Sequence, residues 1–213
     1  MARAKYYVVW KGRQTGVFAS WEACEAQVNG YPGAEYRAFE SREMAEAAFR
    51  GQYADYEGKP AMFQQWLFAP TRPILPSLCV DAACSGSPGP LEYRGVRTET
   101  GEEVFRQGPF AGGTNNIGEF LAIIHALAWL QKTGLEMPVY TDSETALAWV
   151  RAEKCKTDLL HTAENAALFE LIARAEAWLA ENDHKTLKVS ETFRVLKWDT
   201  EAWGEIPADF GRK

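Results

Sequence analysis

The chain has 213 residues, 46% of them hydrophobic and 24% charged, an ordinary globular composition that suits one medium domain or a medium and a small one. No run approaches the ~18 apolar residues that cross a bilayer, and "MARAKYYVVWKG" lacks the apolar core of a signal peptide. The net charge of −6 argues against a polyanionic partner, but residues 1–50 carry seven Lys/Arg and six Asp/Glu (net +1) and the remainder 16 and 23 (net −7).

An acidic body meets a polyanion when divalent cations lie between them. Cys24, Cys79, Cys84 and Cys155 form no CxxC pair, so reduced thiols and a cytoplasmic location are expected. In chain order, "KYYVVW" and "GRQTGVFA" read as strands and "SWEACEAQVNG" as a short helix capped by Ser20 and stopped at Gly30. "YPGAEYRAF" returns as a strand and Ser41 caps "SREMAEAAF", giving a ββαβα unit over residues 1–52. Residues 53–75 read as a connector, because Pro60, Pro70 and Pro73 prevent long regular elements, with "MFQQWLF" apolar enough to pack.

Residues 76–213 alternate strand and helix. "LCVDAA" is a buried strand, the residues around Thr100-Gly101 a hairpin, "NIGEFLAIIHALAWLQ" a long apolar helix, "MPVYTDS" a strand and "ETALAWVRA" a helix. Leu168, Leu171, Ile172, Ala175, Trp178 and Leu179 follow helical spacing, and "LKVSETFRVL" closes the set as a strand. This order indicates an α/β fold, a mixed sheet flanked by helices.

Four acids stand at element ends: Asp81, Glu119, Asp142 and Asp209. Ligand sites of open α/β sheets gather at such ends, and converging carboxylates raise one another's pKa unless cations relieve the repulsion. Taken singly, each is equally a cap, a turn residue or a solvent-facing group; Asp142 before "SETAL" reads as a cap and Glu119 as a helix-start acid.

"CVDAACSGSPGP", "GGTNNIGEF", "VYTDSETAL" and "ADFGRK" resemble, in order and separation, the four signature segments of type 1 ribonucleases H. "YYVVWKGRQTGVFASWEAC" resembles the N-terminal RNA/DNA hybrid-binding domain of many such enzymes, viroplasmin-like in caulimoviruses. The resemblance implies hydrolysis of the RNA strand of RNA/DNA hybrids, leaving 5′-phosphate and 3′-hydroxyl ends. It implies two Mg²⁺ ions, with Mn²⁺ as a substitute, held by Asp81, Glu119, Asp142 and Asp209. Ser87, Asn115 and Asn116 match positions that contact the minor groove, and Thr114 one near a DNA-strand phosphate; the alternative for "TNN" is a helix cap. In the first unit Tyr7, Trp21 and Tyr36 would offer faces to sugars and Lys11, Arg13 and Arg37 would contact phosphates, the alternative for the aromatics being a small core.

No membrane and no obligatory protein partner are implied. The loop "KWDTEAWGEIPAD" lacks the histidine that many relatives carry, and the basic protrusion is reduced to Arg151, Lys154 and Lys156. The sequence stops four residues after Asp209, where relatives continue into a helix, so packing of "WGEIP" is expected to position that acid. His125 is expected in the core, His161 and His184 at the surface. Two other functions stay open: a hybrid-binding protein without catalysis, and a DNA-cutting nuclease of the same fold.

Overall fold

The β-branched and aromatic run at the start forms β1 (Tyr6–Lys11) in a computed structural model, which describes residues 5–39, 41–56, 66, 69–182 and 195–211. His184, most of "LKVSETFRVL" and all of "MFQQWLF" except Trp66 lie outside the described residues; Trp66 itself is buried. The chain divides into two compact units at Thr71/Arg72.

In the first unit β1 lies between β2 (Gly16–Phe18) and β3 (Glu35–Phe39) in an antiparallel sheet. Ser20 and Ser41 cap α1 (Trp21–Val28) and α2 (Arg42–Phe49), accepting hydrogen bonds from the amides of Ala23 and Met44 at 3.3 and 3.2 Å. The order ββαβα is the expected one. Strand alternation divides the core between the two sheet faces: Val8 packs with Phe39, Ala45 and Ala48, and Val9 with Cys24 and Val28. Trp10 donates to the carbonyls of Ala48 and Gly51 and stacks on Tyr56 at 5.4 Å between centroids. Residues 53–56, expected in the connector, thus join the aromatic cluster of this unit.

The second unit holds a mixed sheet of order β6-β5-β4-β7-β8. Its strands are β4 (Leu78–Cys84), β5 (Gly89–Arg97), β6 (Glu103–Gly113), β7 (Val139–Thr141) and β8 (Val195–Lys197). β4, β5 and β6 pair antiparallel; β7 runs parallel to both β4 and β8. The helices are α3 (Asn115–Thr133), α4 (Glu144–Arg151), α5 (Ala166–Glu181) and the short α6 (Thr200–Trp203). Leu78, Val80 and Ala82 turn one face of β4 toward the apolar side of α3, and Leu168, Ile172, Ala175 and Leu179 of α5 close that core. Leu171 and Trp178, expected on the same stripe, are only partly buried at its margin.

His125 is half-buried and stacks on Phe105 at 4.1 Å; His161 is exposed against Phe169. Gly118 brings the first turn of α3 down onto the sheet, since a Cβ there would lie 2.5 Å from Leu91 and 2.6 Å from Ala82. Across the sheet, Tyr140, Trp198 and Trp203 pack edge to face at 5.0–5.7 Å.

Candidate active site

Asp81 occupies the fourth position of β4, where alternation turns it away from the α3 core. The parallel register pairs Leu78 with Val139 and Cys79 with Tyr140; carried two residues further, it sets Asp142 beside Asp81. Asp142 does not cap the following helix. Ser143 does, its hydroxyl accepting from the Ala146 amide at 3.1 Å, which leaves the Asp142 carboxylate free to face Asp81. Glu119 lies beyond the first turn of α3, buried at 8% exposure, so the expected helix-start role does not describe it. Asn115 donates to Glu119 Oε1 at 3.0 Å, and the Ser143 hydroxyl is a second hydrogen-bond partner.

Ligand oxygens of Asp81, Glu119 and Asp142 all lie within 4.8 Å of one another. They share a cavity of about 310 Å³ whose wall also includes Asn115, Ser85, Asp209 and Phe210. Burial, with the neighbouring charges of Asp142, Glu119 and Asp209, pushes the Asp81 carboxyl up to about 8. Burial also raises Glu119, to about 6, opposed by the Ser143 hydrogen bond. Asp142 is raised by burial and by Asp209, while Lys197 on β8 lowers it. Clustered carboxylates withheld from water are a poor arrangement by themselves and a good one around a cation. Oxygen-only donors match hard divalent ions such as Mg²⁺ or Mn²⁺, so the residues fit a metal.

Asp209 reaches this cavity from the segment after α6, outside the close trio. Trp203, Ile206 and Ala208 are buried, so "WGEIP" does pack. The sequence offered no sign of a second anchor: Arg94 on β5 donates to the carbonyls of Ala208 at 2.8 Å and Asp209 at 2.5 Å. Ser143, Lys197 and Phe210 also touch the site without a local sequence signal for it. Ser143 takes the capping role expected of Asp142, and the other two depend on long-range pairing that no local pattern reveals.

The residues expected to contact substrate fall into two places. Asn115 lines the carboxylate cavity, whereas Ser87, Thr114 and Asn116 line a neighbouring one with Trp149, Lys156 and Thr157. Successive residues on a helix start point about 100° apart, which separates Asn115 from Asn116. Thr114 stands at the N-cap position without a side-chain capping bond. Of the reduced protrusion, Lys156 reaches this second cavity and Lys154 is paired with Glu176 at 2.6 Å.

In the first unit, Trp21 lies 5.6 Å from Tyr7 and 5.8 Å from Tyr36, and Trp21 and Tyr36 are 38% and 41% exposed. Tyr7 is partly buried against the Val9 cluster. Lys11 is exposed. Arg13 donates to the carbonyls of Ala26 and Asn29 at the end of α1. Alternation sends Arg37 to the sheet face opposite Tyr36, where it donates to the carbonyl of Tyr56. Two of the three expected phosphate contacts therefore already hold backbone carbonyls.

A family model described as Ribonuclease H1 N-terminal domain matches residues 5–49, and one described as RNase H matches residues 77–190, more than half of the chain. The ribonuclease H of Saccharomyces cerevisiae is 49% identical over 53 residues, covering 24% of this chain and 15% of that protein. The ribonuclease H of Chromobacterium violaceum is 34% identical over 97 residues, covering 42% of this chain and 65% of that protein. The chain thus spans less than two thirds of either relative. The crystal structure of RNase H1 from the archaeon Halobacterium salinarum aligns with 62% of this chain and 91% of its own, with 19% identity and a TM-score of 0.38.

Proposed function

Because the chain belongs to the ribonuclease H family, we propose that it is a metal-dependent endonuclease that hydrolyses the RNA strand of RNA/DNA hybrids and leaves 5′-phosphate and 3′-hydroxyl ends. The observation that carries this reading is the gathering of Asp81, Glu119 and Asp142, from a strand, a helix and the turn after β7, around a cavity that Asp209 also borders. These four carboxylates would hold two Mg²⁺ ions, or Mn²⁺ in their place. Bound there, the ions supply Lewis acidity toward the attacking water and the departing 3′-oxygen.

The rest of the work belongs to the protein. Asn115 and Ser143 orient the Glu119 carboxylate through hydrogen bonds. Asn115, with Ser87 and Asn116 from the adjoining cavity, offers amide and hydroxyl groups to the minor groove, where the 2′-hydroxyl distinguishes RNA from DNA. Thr114 and Lys156 suit a backbone phosphate in that second cavity. Residues 76–213 would be the catalytic domain and 1–52 the hybrid-binding domain, with Tyr53 and Tyr56 of the 53–75 connector packed on Trp10 of the latter. In the hybrid-binding domain the exposed ring pair of Trp21 and Tyr36, backed by Tyr7, stacks on sugars. Lys11 and Arg13 supply positive charge to the duplex, while Arg37 lies on the other sheet face against the Tyr56 carbonyl.

The substrate partner is the hybrid, with no obligatory protein partner. No helix among the described residues is long and apolar enough to cross a membrane. Four free cysteines support a cytoplasmic location. Asp142→Asn tests the reading: cleavage is expected to vanish while hybrid affinity stays within twofold (roughly the limit of a binding assay), and cleavage at the wild-type rate would overturn it.

A further inference from the structure

We infer that Arg94 is a positioning residue that holds Asp209 at the metal site, an inference that rests on the reading of Asp209 as a ligand. Asp209 follows α6 in a segment with no regular structure, so its backbone carbonyls have no ladder partners. Asp81, Arg94 and Arg106 stand directly opposite one another across β4, β5 and β6, which turns all three side chains to one face of the sheet. The first supplies a carboxylate to the cavity. The second supplies a planar fork of donors, and its Nε and Nη2 bind the carbonyls of two successive residues, Ala208 and Asp209.

The third completes a clamp. Phe210, which walls the cavity, has the Arg94 guanidinium 4.7 Å and the Arg106 guanidinium 5.1 Å from its ring centre. Carboxylates of Glu92 and Glu103 hold Arg106 at 2.9 and 2.8 Å, and Glu103 lies 3.5 Å from Arg94. The residues on either side of the Asp209 carboxylate are therefore gripped by a rigid antiparallel pair. A lysine at position 94 would keep a cation near Phe210 but reach only one carbonyl at a time.

The test uses the full chain and four variants: Arg94→Gln, Arg94→Lys, Asp209→Asn and the double variant with Arg94→Gln. With Arg94→Gln, kcat on the hybrid is expected to fall about tenfold or more with KM little changed, because a small misplacement of a reacting group is costly. Amide exchange of residues 206–211 should quicken, and the rise in Tm that Mn²⁺ produces should shrink. Arg94→Lys should fall between wild type and Arg94→Gln. On the Mn²⁺-induced rise in Tm, the double variant should lose no more than Asp209→Asn alone, since the arginine acts through that acid. Wild-type kcat and exchange in Arg94→Gln, or losses that add in the double variant, would overturn the clamp while leaving the ligand role of Asp209 intact. An Asp209→Asn variant that cleaves and binds Mn²⁺ normally would overturn both.

Discussion

Asp81 is held ionisable in a place that disfavours its charge. Its carboxyl is raised from 3.8 to about 8 in the metal-free protein, first by burial and then by Asp142. A folded-state pKa above the unfolded one contributes stability that is fully present below the unfolded value and lost as pH rises through the folded value. Without metal, the protein is therefore expected to lose thermal stability from about pH 4 to pH 8, and Asp81→Asn should flatten that fall and raise the Tm at pH 7. Adding Mg²⁺ should reverse the trend in the wild type, because ligands must be deprotonated to bind, and should do little for Asp81→Asn. A scan of Tm against pH, with Mg²⁺ and with chelator, reads both effects; an unchanged slope in the variant would remove Asp81 from the cluster. The identity of this acid was legible because an aspartate interrupts an apolar strand. So were Glu119, Asp142 and Asp209 at element ends; what stayed hidden is that Ser143, not Asp142, caps the following helix.

At the scale of elements, the site depends on how closely α3 descends on β4 and β5. Gly118 permits that approach, with Leu91 and Ala82 where a side chain would begin. Gly118→Val should overpack this contact, cost about 1–3 kcal/mol of stability and lower turnover by lifting Glu119 away from Asp81 and Asp142; denaturant unfolding and cleavage assays measure the two. A variant as stable and active as the wild type would show that the helix start tolerates displacement. Helices and strands of both units follow the sequence patterns closely, since capping serines and alternating strands are local signals. Cross-strand registers are not local, which is why the row of Asp81, Arg94 and Arg106 came only from the sheet. In the first unit alternation within β3 sets Arg37 and Tyr36 on opposite faces, a local signal; the non-local part is the partner of Arg37, the Tyr56 carbonyl.

At the scale of the whole molecule, charge divides the labour: a first segment of net +1 precedes a remainder of net −7. An acidic catalytic unit attracts a polyanion poorly until cations fill its site, so affinity is expected to come largely from the first unit. Trp21→Ala in the full chain should weaken hybrid binding about tenfold, equivalent to ~1.4 kcal/mol, and raise KM with kcat unchanged. Equal affinity in titrations at fixed salt would mean that the exposed Trp21 and Tyr36 rings serve something else. Composition left one domain or two open and the ββαβα pattern marked the first unit, whereas the packing of Tyr53 and Tyr56 on Trp10 was hidden behind the proline-rich stretch that follows. The most direct measurement of the central claim is cleavage of an RNA/DNA hybrid labelled separately on each strand, with Mg²⁺ and with chelator, beside RNA and DNA duplexes. Cutting of the hybrid's RNA strand alone, only with Mg²⁺ and with 5′-phosphate products, is the predicted result; tight hybrid binding without cleavage, or cutting of the DNA strand, would contradict it.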